Sequence, residues 1–175
     1  MNAKNALVVV DYQVDFVSGA LGFAGAEKLE SVILKKISAA RKEGAQVIFT
    51  LDTHKKNYLS TAEGKKLSVI HCIDGTEGHR LYGKVADAVA EGDIVIKKNA
   101  FGSTRLGSLL KKGRYEQVEL CGLVTDICVL SNAIIAKAAL PESRIVVDSA
   151  ACGSADKNAH ERALLSMRGV QIDVV

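Results

Sequence analysis

Short apolar runs alternate with helical patterns along the whole chain, and this alternation constrains the fold more than any other feature. Residues 6–10 (ALVVV), 45–51 (AQVIFTL), 93–97 (DIVIK), 117–123 (QVELCGL), 144–150 (RIVVDSA) and 170–175 (VQIDVV) read as strands. Residues 27–44, 104–113, 126–140 and 154–169 read as helices, with apolar side chains recurring at helical spacing. Gly44 and Gly113 end the first two, Pro141 stops the third, and Ser154 is placed to cap the start of the fourth. Short apolar strands separated by helices belong to a parallel sheet covered on both faces. The expectation is a three-layer α/β/α fold around a six-stranded, mostly parallel sheet. A length of 175 residues suits one domain over residues 1–175.

Composition excludes several function classes. The formal net charge is only +3, and the lysines are scattered in pairs, so no basic stripe for nucleic acid stands out. No apolar run approaches the roughly 18 residues of a membrane span. The N-terminal apolar run ends at Asp11 and reads as a first strand, not a signal peptide. Cys72, Cys121, Cys128 and Cys152 have neither zinc-ribbon nor CxxC spacing. Free thiols point to a cytoplasmic chain.

In an open parallel sheet, ligands bind beyond the carboxyl ends of the strands. The polar residues expected there are Asp11, Asp52 and His54, Lys98, and then Thr125, Asp126 and Cys128. From residue type alone Cys128 is either packing or a nucleophile, and Asp11 either a turn cap or a base. A thiol in the first turn of a helix, beside a lysine, is expected to have a lowered pKa. Backbone N–H groups around Val124 and Cys128 would then hold an oxyanion. An acidic residue, a later Asp and a Lys after successive strands also suit a phosphoacceptor module. Asp11 lacks the acidic neighbour such a module needs, being flanked by Val10 and Tyr12.

The stretch from Asp52 to Val85 has little regular pattern, and a long irregular segment inside a compact domain is usually functional. Asp52 and His54, two apart on an extended segment, point the same way. With His71, and Glu63 from the same loop as a fourth ligand, they form a donor set suited to Zn, Mn or Fe(II), or they are loop residues with ordinary hydrogen bonds. His79 sits in a polar loop without an evident partner, and His160 reads as a surface group on a charged helix.

Five segments, in order, carry a resemblance. VVVDYQVDF, LDTH, HCIDGTEG, IKKNAFGST and CGLVTDICV are similar to the conserved motifs of the isochorismatase-like cysteine hydrolases, and within them of the nicotinamidases. The resemblance implies a catalytic triad of Asp11, Lys98 and Cys128. It implies an oxyanion hole from the N–H groups of Val124 and Cys128, and a cis peptide between Leu123 and Val124. It also implies one divalent metal ion, zinc or alternatively manganese or iron, on Asp52, His54, Glu63 and His71, and a pocket lined by Phe16 and Phe101. The implied activity is hydrolysis of nicotinamide to nicotinate and ammonia through a thioester, by a homo-oligomer. The alternative is a metal-free hydrolase of another small amide or carbamoyl compound. The chain departs from the nicotinamidase pattern in having no histidine between His54 and His71 and in carrying Ser68 where an aromatic residue is common.

Overall fold

A computed structural model describes residues 4–175. Six strands form one sheet: β1 (Asn5–Val10), β2 (Gln46–Asp52), β3 (Ile94–Lys98), β4 (Gln117–Leu123), β5 (Arg144–Gly153) and β6 (Asp173–Val174). Their order is β3-β2-β1-β4-β5-β6, and every pairing is parallel. The sheet is therefore wholly parallel. The helices are α1 (Val14–Val17), α2 (Leu29–Lys42), α3 (Gly83–Asp87), α4 (Thr104–Gly113), α5 (Leu130–Ala139) and α6 (Lys157–Gly169). Helices α2 and α3 pack together, and α4, α5 and α6 form a second group. Right-handed crossovers put the two groups on opposite faces, because β1 to β3 run outward one way and β4 to β6 the other.

The core follows from the apolar runs. Leu7, Val8, Val9 and Val10 of β1 and Val118, Leu120 and Leu123 of β4 are buried, as are Ile33 and Ile37 on the inner face of α2. Strand order reverses between β1 and β4, and in doubly wound sheets that crevice is where ligands bind. Gly122 lies there with φ +117°, and a Cβ at that position would run into the carbonyl oxygen of Val10. Only glycine lets the two central strands approach this closely at such a φ.

The boundaries differ from expectation where tertiary contacts override local pattern. The helix expected from residue 27 begins as a 3₁₀ turn, Ala26–Lys28, before α2. The expected helix from residue 126 begins as a π turn, Thr125–Val129, before α5. Helix α6 does not open at Ser154. Asp156 is its N-cap, accepting from the N–H of Asn158, while Ser154 bonds to Asp126 instead. Strand β5 runs three residues past the expected end at Ala150, to Gly153, and β6 shrinks to two residues.

Candidate active site

The carboxyl ends of four adjacent strands meet at one cluster. Asp11 follows β1 in a left-handed conformation, φ +45°. Asp52 and Lys98 are the last residues of β2 and β3, and Cys128 lies in the π turn after β4. Lys98 Nζ is 2.6 Å from Asp11 Oδ2 and 3.3 Å from Asp52 Oδ1, and it donates to Cys128 Sγ at 3.6 Å. The other oxygen of Asp11 accepts from Thr50 Oγ1 at 2.7 Å. All these groups are buried. Lys97, the residue before it, points to the surface and pairs with Asp74 at 2.7 Å.

Burial sets the proton affinities. It pushes Asp11 above the usual carboxylate range, with Lys98 only partly compensating. Burial opposes the charge on Lys98, but Asp11, Cys128 and Asp52 outweigh it and keep the ammonium protonated. Burial, then the charge of Asp11, push the Cys128 thiol well above its ordinary value despite Lys98. The expectation of a lowered thiol pKa is thus overturned: desolvation by burial outweighs the turn position and the lysine. The resting group is a thiol beside an ion pair.

Val124 is the N-cap of the π turn, Cys128 is the fourth of its five residues, and the Leu123–Val124 peptide is cis. Asn132 on α5 fixes this turn from within, its Nδ2 donating to the carbonyls of Cys128 (2.8 Å) and Phe101 (3.1 Å).

Beside the cluster, one donor atom each from Asp52, His54, Glu63 and His71 lies within 4.8 Å of the others. His54 Nε2 is 2.9 Å from Asp52 Oδ2, and His71 Nε2 is 3.4 Å from the same oxygen. His71 Nδ1 donates to the carbonyl of Val69 at 2.8 Å, which fixes the ring orientation and turns Nε2 toward the carboxylates, so that loss of the Nε2 proton frees its lone pair for an ion. Two imidazoles and two carboxylates on one point, with the ring orientation already set, fit a divalent transition-metal ion. Burial would raise the pKa of Asp52, but hydrogen bonds from His54 and His71 and the charge of Lys98 hold it well below the usual range. Burial would lower that of His71, but Asp52 and the Val69 carbonyl raise it. Asp52 thus touches both Lys98 and the metal-ligand group, one oxygen facing each.

A cavity of about 290 Å³ joins the two halves. Asp52, Glu63 and His71 line it, and so do Val124 and Cys128. Phe16 and Phe101 both line it, Phe16 buried with its ring edge toward His71 and Phe101 at the mouth.

Several contributors had little or no sequence signal. Leu21, Phe23 and Leu67 complete the apolar wall. Gln13, in the DYQ segment, donates to the carbonyls of Asp52 (2.9 Å) and His79 (2.7 Å) and accepts from the N–H of Asp52 (2.7 Å), pinning the end of β2. His79 is not partnerless: it is buried, its Nε2 is 2.8 Å from Thr53 Oγ1, and burial lowers its pKa. His160 is not a free surface group either, since its Nδ1 is 2.9 Å from Thr125 Oγ1.

A family model described as the isochorismatase domain matches residues 5–175. The uncharacterized isochorismatase family protein PncA of Bacillus subtilis (strain 168) is 31% identical over 173 residues, covering 92% of each chain. The pyrazinamidase of Pyrococcus horikoshii, solved in complex with zinc, superposes with a TM-score of 0.88 at 26% identity, over 98% of both chains. The nicotinamidase/pyrazinamidase PncA of Bacillus subtilis gives a TM-score of 0.88 at 29% identity, over 98% of this chain and 99% of that one.

Proposed function

The chain belongs to the isochorismatase domain family, and on that premise we propose that it is a cysteine-dependent nicotinamidase, hydrolysing nicotinamide to nicotinate and ammonia. The reading rests on one observation above the rest: a single cavity is lined both by Cys128, whose thiol meets Lys98 of the buried Asp11–Lys98 pair, and by Asp52, Glu63 and His71 of the two-His, two-carboxylate group. An amide can lie on the thiol while its ring reaches the second group. The solved relatives named as nicotinamidase and pyrazinamidase share this fold over nearly the whole chain.

Asp11 takes the proton of Cys128, and Lys98 lies against both. The transfer moves one negative charge from oxygen to sulfur around a fixed ammonium, so the buried cluster keeps its net charge. Burial raises the proton affinity of donor and acceptor together, which keeps the transfer feasible. The thiolate attacks the amide carbon, and the N–H groups of Val124 and Cys128 hold the oxyanion. Asp11 passes its proton to the nitrogen as the C–N bond breaks and ammonia leaves. A water, losing its proton to Asp11, then attacks the thioester. The C–S bond breaks, the Asp11 proton returns to sulfur, and nicotinic acid departs and gives its carboxyl proton to solvent to become nicotinate. Asp52, His54, Glu63 and His71 would hold a divalent ion, zinc being one that suits this set, which when bound would supply a Lewis-acidic anchor for the ring nitrogen. Phe16 and Phe101 would flank the ring.

The test is ammonia release from nicotinamide by purified protein, before and after chelation and metal add-back. Release is expected to fall at least tenfold on chelation and to return with metal. No release from folded, metal-loaded protein overturns the nicotinamide assignment. Metal affinity is expected to depend on pH with a definite sign. His71 in the metal-free protein keeps its proton above the ordinary 6.5, and the ion must displace it. Affinity, read by competition with a chromophoric chelator, therefore falls as pH drops, with the fall already under way above 6.5.

A further inference from the structure

The π turn that carries Cys128 is held from outside by α6, through a histidine that the chemistry above does not use. Thr125 opens the turn and is fully buried, and the hydrogen-bond partner of its hydroxyl is His160, whose Nδ1 lies 2.9 Å away. His160 is only half-buried, on the first turns of α6. A second tie runs parallel to it: Ser154, just before α6, donates to Asp126 Oδ1 at 2.6 Å, and the N–H of Asp126 points back to Ser154 Oγ at 3.4 Å. The turn itself is wide. Both Ile127 and Val129 donate to the carbonyl of Val124, at 3.2 and 3.1 Å. A turn of this width has poorer intrinsic support than an α-helix and recurs at functional sites.

We propose that His160 is a positioning residue, which through its hydrogen bond to Thr125 fixes the turn that presents Cys128 Sγ and the N–H groups of Val124 and Cys128. The proposal rests on the reading of Cys128 as nucleophile. Its logic is geometric. Asn132 secures the inner side of the turn at the Cys128 carbonyl, and His160 secures the outer side at its first residue. The thiol and the Cys128 N–H lie between the two ties, and the Val124 N–H lies one residue before the first. Loosening one tie leaves the walls supplied by Phe16, Glu63, His71 and Phe101 in place, so substrate binding persists while the alignment needed at the reacting carbon is degraded. Misplacement of the order of an ångström suffices for a large loss of rate.

The experiment compares H160F, H160N, T125V and the H160F/T125V double variant with wild type and with C128A. H160F and T125V are each expected to lower kcat about ten- to hundredfold, with KM changed less than about threefold. H160N, which can place an amide where Nδ1 lies, is expected to recover most of the loss. The double variant is expected to be no slower than the slower single, because both substitutions delete one bond. Independently of turnover, the amide resonances of Val124 and Cys128 are expected to shift in H160F. Wild-type kcat in folded H160F, or additive losses in the double variant, overturns the proposal. So does a loss in H160F that H160N does not relieve. If T125V does not fold, the contrast between H160F and H160N decides. If wild type releases no ammonia from nicotinamide, the substrate reading fails. The resonances of Val124 and Cys128 then decide the proposal alone: a shift supports it, and unmoved resonances overturn it.

Discussion

Replacing Cys128 with alanine is expected to lower ammonia release by about four orders of magnitude or more while leaving the fold intact. The size of the loss follows from the covalent route, since without the sulfur there is no thioester and what remains is binding and polarisation of the amide. The fold survives because little else depends on Sγ. Its polar contacts are with Asp11 and Lys98, and these keep each other at 2.6 Å, with Asp52 3.3 Å from Lys98. Removing one buried sulfur atom costs on the order of 1 kcal/mol. The metal-ligand group and the aromatic walls are untouched, so nicotinamide is expected to bind C128A about as well as wild type. The check pairs steady-state rates with a binding titration and a melting curve. A variant within tenfold of wild-type turnover would falsify the nucleophile assignment, and the function built on it would fall with it.

Much of this architecture was legible because burial on both faces forces strands such as ALVVV to be apolar throughout, and β1, β2 and β4 stand within a residue of where the pattern puts them. The polar residues just beyond those runs then had to converge. That is why Asp11, Asp52, Lys98 and Cys128 could be grouped before any coordinates. Properties that arise between elements were not legible. A place in a helical turn implies a low pKa for the Cys128 thiol, yet the group is buried at the sheet ends, and desolvation reverses the sign. Ser154 has the chemistry of an N-cap but is claimed by Asp126, so the cap passes to Asp156. His160 sits among charged residues in the sequence, and only the packing of α6 against the π turn brings Thr125 to it. Leu21 and Phe23 carry no motif, and their place in the cavity wall depends on how residues 18–25 fold back.

Lys98 carries the second large expected effect, and its direction can be worked out. Lys98→Met keeps the volume of the side chain and deletes its charge. The ammonium is the largest influence lowering the pKa of Asp11, set against a larger push upward from burial. Without it Asp11 holds its proton to higher pH, and a protonated Asp11 cannot accept from the thiol. The thiolate also loses the cation 3.6 Å away. A pair of charges about 4 Å apart at an effective dielectric near 20 interacts by ~4 kcal/mol, which corresponds to a loss of about a thousandfold in rate. The sign for the pH profile follows: the acid limb of kcat/KM, which reports ionisation of Asp11 in the free enzyme, moves to higher pH in K98M. Stability should change much less than rate, because Asp11 can go neutral in place and keep its bond from Thr50 at 2.7 Å. Metal content must be measured alongside, since Asp52 touches both Lys98 and the metal-ligand group. A thousandfold loss with an unmoved acid limb would mean that Lys98 acts on the oxyanion or on Asp52. A moved limb with full metal content locates its action on the proton shared by Asp11 and Cys128.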